Sequence, residues 1–308
     1  MRRLASNILF LGLIVSVFLV LIVGTSPHDT NNYLAAALDK HRLLYLTKSP
    51  KIILVGGSNL AFSVNSEKIE KRFGMPVINM GLHGDLGLRY MLNEAASAIR
   101  SGDIVVVFPE YELFHKIPLN GYPRELGSVI KLCFDCISGI STTGQFFNVL
   151  VGFLQMSEGD ILRNIKSPDI HDKVYYRQAF NENGDLISHL KRADKLTPNN
   201  HVDQIEIISP NPAVTLLNVF YRSGISANAQ MLFMFPAIPV DEYNAQKEKL
   251  QAFYGQLTSE LEIPIVGSPQ DFIYPEDYFY DTVYHMNSIG RGARTDHIIE
   301  LLSSVLEK

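Results

Sequence analysis

The chain has 308 residues and a formal net charge of −5, so no basic surplus marks it as a nucleic-acid binder. At 46% hydrophobic and 19% charged it has the composition of a folded globular protein, long enough for one large domain or two small ones. It contains no low-complexity tract and no repeat of the solenoid or propeller kind.

The amino terminus carries a location signal. Arg2 and Arg3 precede LASNILFLGLIVSVFLVLIVG, residues 4–24, in which residues 8–23 include only Gly12 and Ser16 as non-hydrophobic members. A bilayer core takes about 20 mostly apolar residues as helix, so this run can span it. The arginines favour a cytoplasmic start, which places the rest of the chain outside. A signal peptide has a shorter apolar core, usually about 7–15 residues, and a small-residue cleavage site; here the run is long and VGTSPHD is a poor site. The expectation is a membrane anchor over 1–27, a polar connector over 28–49, and an exported domain over 50–308.

That domain alternates strand and helix signals. KIILVGG is an apolar run ending in glycine, SEKIEKRFG has helical spacing with a glycine stop, and PVINMGL reads as a second strand. GLRYMLNEAASAIRSG is a second helix and DIVVVFPEYELF a third strand. From about 115 to 228 the alternation breaks into short apolar helical segments and polar loops, an insertion expected to cover one edge of the sheet. AQMLFMFPAIP, a helix over 241–261, IPIVGSP and a closing helix resume the pattern. Near-continuous Val/Ile strands separated by helices indicate a parallel sheet covered on both faces. The expected fold is α/β, a flavodoxin-like three-layer sandwich with five parallel strands and a large helical insertion. In such sheets ligands bind beyond the carboxyl ends of the strands.

Cys133 and Cys136 stand in LCFDC. They read first as two small core residues one helical turn apart. A local disulfide, permitted in an exported protein, is the alternative. No further ligands nearby complete a zinc set.

The chemistry gathers at the strand ends. Loops there carry Ser58, then His83 in NMGLHG, then Glu110 and Tyr111 in PEYELFH; late in the chain YFYDTVYHMN brings Asp281, His285 and Asn287. A serine, a histidine and an acid at one sheet edge suit acyl transfer: the histidine takes the serine proton and the acid orients the imidazole. Gly56 and Gly57 allow the sharp turn that presents Ser58.

These stretches resemble the SGNH hydrolases, the GDSL-type esterases. GGSNLAFSVN looks like their first block, with Ser58 as nucleophile and an oxyanion donor. INMGLHG looks like the second, with Gly81 as the other oxyanion donor, and YDTVYHMNSIGRGARTDHI like the last, with His285 as base and Asp281 as its acid. The resemblance covers roughly 51–115 and 229–305. It is nearest to the membrane-anchored relatives that acylate cell-surface polymers, the D-alanyl transfer and alginate O-acetylation proteins among them. It implies a serine acyl-enzyme that needs no metal or cofactor, a surface polysaccharide as substrate, and a multi-span membrane acyl donor as partner. Two departures stand out. FPEYELF lacks the third-block asparagine, leaving Glu110 or Tyr111 there, and Asp281 precedes His285 by four residues where the family has three. They favour, as the rival reading, a non-catalytic binding or assembly component of polysaccharide export. Tyr111, His83, Glu110 and Asn287 are the expected substrate or acceptor contacts, with Asn287 also suited to capping the last helix. Arg291 and Arg294 read as surface or helix-terminal charges.

Overall fold

The computed structural model describes residues 30–166, 173–192 and 201–307, with side chains excepted at 156–166. The anchor expected over residues 4–24 lies outside these. Among the described residues no helix is long and apolar enough to cross a membrane.

The stretch read as a polar connector is part of the domain. The Asn32 side chain caps a 3-10 turn over Tyr33–Ala35, and α1 (Ala36–Leu46) follows with Ala36, Ala37, Lys40 and Leu44 buried. These positions recur at helical spacing and make one inward stripe. Even the lysine is absorbed: its Nζ donates to the carbonyls of Asn79 (2.8 Å) and Gly184 (2.5 Å). Burial lowers the Lys40 ammonium to about 7, against the attraction of Asp185 and Asp39.

The main sheet is four-stranded and wholly parallel, in the order β2-β1-β3-β4, from β1 (Ile52–Gly56), β2 (Val77–Asn79), β3 (Ile104–Phe108) and β4 (Gln230–Phe233). Every residue of β1 and β3 is buried, which requires layers on both faces and accounts for their unbroken Ile/Val/Leu runs. The expected fifth strand, IPIVGSP, reduces to one parallel bridge between Phe233 and Ile265. Phe233 N–H donates to Pro264 O and Val266 N–H to Phe233 O, but Pro264 has no N–H to give and Gly267, at φ +79°, turns the chain away. A separate parallel pair, β5 (Ile238–Pro239) and β6 (Ile273–Tyr274), lies beyond β4 in sequence.

Three helices matter for the site. α2 (Ser58–Ser63) starts directly after β1 and Gly57. α3 (Ser66–Phe73) ends, as its sequence foretold, on Gly74 in the left-handed region, and Asn65 caps its start. The long last helix, Ser288–Leu306, is capped by Asn287, whose side-chain oxygen accepts the N–H groups of Ile289 and Gly290.

The insertion carries helices Pro123–Leu132 and Thr143–Lys166, packed backbone to backbone at Gly127 and Gly152; a Cβ on Gly152 would lie 1.9 Å from Pro123 O. Cys133 and Cys136 are joined in a disulfide, the alternative of the two readings. Arg291 and Arg294 are not surface charges. Arg291 pairs with the fully buried Asp185 at 2.8 Å, and Arg294 donates to the Asn59 carbonyl (2.9 Å) and side-chain oxygen (3.1 Å).

Candidate active site

Ser58 stands where the parallel sheet delivers its first strand. β1 ends, Gly57 makes the turn, and Ser58 is the first residue of α2. Gly57 leaves the space of a side chain to the Glu110 carboxyl: a Cβ there would meet Glu110 Oε1 at 2.3 Å and Oε2 at 2.4 Å and would make the carboxyl move. Neither the Ser58 hydroxyl nor its backbone N–H has a hydrogen-bond partner among the described residues. Ser58 lines a cleft at the amino-terminal end of this helix, where the first N–H groups have no partner within the helix.

The same helix packs against the histidine. Phe62, one turn after Ser58 and so on its face of α2, stacks on the His285 ring with centroids 3.7 Å apart and planes 4° from parallel. Ser63 clamps the flanking backbone: its hydroxyl donates to Tyr284 O (2.9 Å) and accepts Met286 N–H (3.0 Å). One short helix thereby carries Ser58 and contacts the histidine and its loop, while Ser58 Oγ and His285 Nε2 line one cleft without a hydrogen bond between them. His285 Nδ1 lies 2.8 Å from Asp281 Oδ1, which directs the other ring nitrogen, Nε2, away from the acid. Behind Phe62, the buried His189 donates from Nε2 to Met286 O at 2.9 Å, and burial lowers its ring to about 4.

Asp281 has a second support that sequence reasoning missed. Tyr175, from the insertion, donates its hydroxyl to Asp281 Oδ2 at 2.5 Å and lies 3.3 Å from His285 Nδ1. Burial raises the Asp281 carboxyl, but the hydrogen bond and charge of His285, with the Tyr175 hydroxyl, outweigh it and hold the group below its ordinary value. No local motif around Tyr175 signals this role; the residue reaches the acid only through the tertiary path of the insertion.

Ser58 and His285 open into one cleft of about 490 Å³, lined also by Tyr33, His83, Glu110 and Tyr175. The insertion does border this edge, through Tyr175, His201 and Asp203. Glu112 lies in the wall. Burial pushes its carboxyl up to about 7, against hydrogen bonds from the Tyr284 hydroxyl (2.6 Å) and Asp203 N–H (3.1 Å).

Comparison with protein-family models and with curated proteins finds no match for this chain.

The other expected contacts divide. His83 lines the cleft, its Nδ1 accepting Asp85 N–H at 3.2 Å. Asn287 is spent as a helix cap and donates to the Asp277 carbonyl, so it is not a cleft residue. Tyr111 is buried edge-on against Phe253, its hydroxyl without a partner and outside the cleft, because the 3-10 turn over Tyr111–Phe114 points it into the core. Gly81 was expected to donate to an oxyanion. Its N–H instead donates to Asn79 Oδ1 at 2.9 Å, and its lack of a side chain serves packing: a Cβ would lie 2.6 Å from Leu60 Cβ and 2.7 Å from Gly57 O.

The potential metal ligands also resolve. Among the described residues, ligand atoms of His41, Cys133 and Cys136 lie within 4.8 Å of one another. The two sulfurs are bonded together and His41 Nδ1 contacts Glu94 Oε1 at 2.5 Å, so these atoms are already committed.

Proposed function

We propose that this cleft transfers acyl groups through a serine ester. The observation that carries the reading is the linkage of Ser58 and His285 through α2, with the Asp281 carboxylate on the far side of the imidazole. Ser58 Oγ attacks an ester carbonyl while His285 Nε2 takes its proton. Asp281 stabilises the imidazolium so formed, and the unengaged Ser58 N–H faces the developing oxyanion. The proton returns to the departing alcohol, leaving an acyl-enzyme. Water or a sugar hydroxyl then takes the acyl group by the reverse sequence, and no metal or cofactor is required.

The broader setting is inferred from the sequence. The fold is of SGNH type, flavodoxin-like, with the fifth strand pared to a bridge. Residues 4–24 anchor the domain on the extracytoplasmic side, where the substrate is an O-acylated surface polysaccharide and the partner a multi-span membrane acyl donor.

One observation favours the rival reading of a non-catalytic binding or assembly component. Glu110 stands beside Ser58 where the family has an asparagine donor, and the Gly81 N–H is already taken, so Ser58 N–H is the single donor left of the expected set. Labelling with a fluorophosphonate probe, followed by mapping of the modified peptide, separates the two. Modification of Ser58 that is lost in His285→Ala supports the enzyme. A folded protein inert to the probe supports the binding component.

A further inference from the structure

Glu110 is a cleft residue that the reaction just described does not use. It is 4% exposed. Its Oε1 accepts the Asn59 N–H at 3.1 Å, whereas the buried Oε2 has no hydrogen-bond partner. An orphaned buried carboxyl oxygen is costly and uncommon enough to call for a reason. Its surroundings supply one. The carboxyl lies against Gly57, the residue before the nucleophile, and a Cβ on Gly84 would come 4.0 Å from Oε2. Glu110 and Gly84 both line the cleft that Ser58 and His285 share. Gly57 thus seats the carboxyl, and Gly84 is the one neighbour that leaves room on the side of the buried, unsatisfied Oε2.

The charge around it narrows what enters. Asp85, Glu112 and Asp203 line the same cleft, and no lysine or arginine does among the described residues. Arg291 is buried on Asp185 and Val64; Arg294 is fully buried, donates to Asn59, keeps an unpaired Nε and feels the charge of Glu110, and neither lines the cleft. Lys116 pairs with Asp203 from outside the lining and Glu112 holds its proton up to about pH 7, but a uronate, phosphate or sulfate group would still find no cation in the lining and the Asp85 carboxyl beside it. A hydroxyl finds a ready acceptor.

Resting on the acyl-enzyme reading above, we infer that Glu110 binds the acyl acceptor, a neutral polyhydroxylated glycan, through a hydrogen bond from an acceptor hydroxyl to Oε2. A second hydroxyl of the same sugar is the nucleophile. Its oxygen bonds to the acyl carbon, His285 Nε2 takes its proton, the bond from the acyl carbon to Ser58 Oγ breaks, and the proton passes to Ser58 Oγ. Glu110 orients the acceptor and takes no part in the proton transfer. Water needs no such orientation, so the carboxyl favours transfer over hydrolysis.

The test uses 4-nitrophenyl acetate as donor, with methyl glucoside and methyl glucuronide as acceptors. Nitrophenolate release and acetyl-glycoside formation are read together, and fluorophosphonate labelling of Ser58 is run alongside. The intact protein should acetylate the glucoside in preference to the glucuronide. In Glu110→Gln the ratio of transfer to hydrolysis should fall about tenfold, the loss of one charge-assisted hydrogen bond, with the KM for glucoside raised. Gly84→Ala adds a methyl facing Oε2 at ordinary contact distance, and should lower the same ratio even if Glu110→Gln fails to fold. Equal losses of transfer and hydrolysis in both variants would overturn the acceptor role. So would a preference for the glucuronide, or the absence of any glycoside product from an intact protein that labels. Failure of the intact protein to label at Ser58 overturns the acyl-enzyme reading itself, and this inference with it.

Discussion

Asp281 stands four residues before His285, one more than the motif it resembles, yet its Oδ1 reaches Nδ1 at 2.8 Å. The extra residue is taken up by a tight coil. His285 N–H donates to both the carbonyl and hydroxyl of Thr282, and Tyr280 N–H to His285 O, which folds the segment back on itself. Spacing in a loop limits reach less than the hydrogen bonds that shape the loop. Asp281→Asn keeps the volume but loses the acceptor that selects the imidazole tautomer. By analogy with serine proteases, ester turnover should drop by up to about 10⁴-fold with the fold intact. Steady-state assay of the variant beside a thermal melt checks this, and an unchanged rate would remove Asp281 from the reaction. Glu112 gives a prediction in pH. Folded, its carboxyl holds its proton up to about pH 7, whereas the ordinary value is 4.5. Between those values the folded state binds more protons than the unfolded one, so stability falls as pH rises through that window, by on the order of 3 kcal/mol in all. Urea unfolding midpoints measured from pH 4 to 8 should show the decline, and Glu112→Gln should flatten it.

α2 is six residues long and carries more of the site than any other element. Its first residue is the proposed nucleophile, its fifth stacks on the histidine and its sixth holds the histidine's loop. It keeps its place because the loop after β2 comes within contact distance at Gly81. A Cβ there would press on Leu60 Cβ, Ala61 N and Gly57 O, three points of α2 and the turn before it, two of them backbone. Gly81→Ala should therefore destabilise by about 3 kcal/mol and disturb Ser58 with it, since backbone cannot swing aside as a long side chain would. Gly292, within the last helix, is the contrast: nothing lies within 4 Å of a Cβ built there. Gly292→Ala should stabilise by about 0.5–1 kcal/mol. Chemical denaturation of the two variants measures both signs, and a stable Gly81→Ala protein would dismiss the close-packing account.

Asp185 joins parts of the chain far apart in sequence. From the insertion it accepts the N–H and hydroxyl of Ser66, the Asn79 side chain at the end of β2, and Arg291 of the last helix. The ion pair is buried on both sides. Removing one partner of such a pair strands the other charge, which costs about 3–5 kcal/mol. Asp185→Ala should lower the stability of the whole molecule by that amount in urea unfolding. A loss below about 1 kcal/mol would mean that the insertion is attached by apolar packing alone. The insertion is accordingly part of the domain. Lys40, Asp185 and Tyr175 tie it to α1, to the sheet and to the acid beside the histidine.

Local pattern was enough for the parallel α/β class, the first four strands, the glycine stop at Gly74 and the Asn287 cap, and the gathering of Ser58 and His285 at one sheet edge. Those features depend on apolar periodicity, glycine stops and strand-end position, all written within a few residues of each other. What lay beyond was decided by contacts between distant segments. Whether IPIVGSP completes a strand depends on Pro264 and Gly267 beside Phe233. Whether a late arginine is exposed depends on Asp185 and Asn59, more than a hundred residues away. The connector became part of the core for the same reason. Tyr175 at the acid, the committed Gly81 N–H and the buried, unpaired oxygen of Glu110 likewise arise only when the insertion, the glycine turns and the last helix close around one short helix. A polar group's role is set by which partners reach it, and in this chain those partners come from the far ends of the sequence.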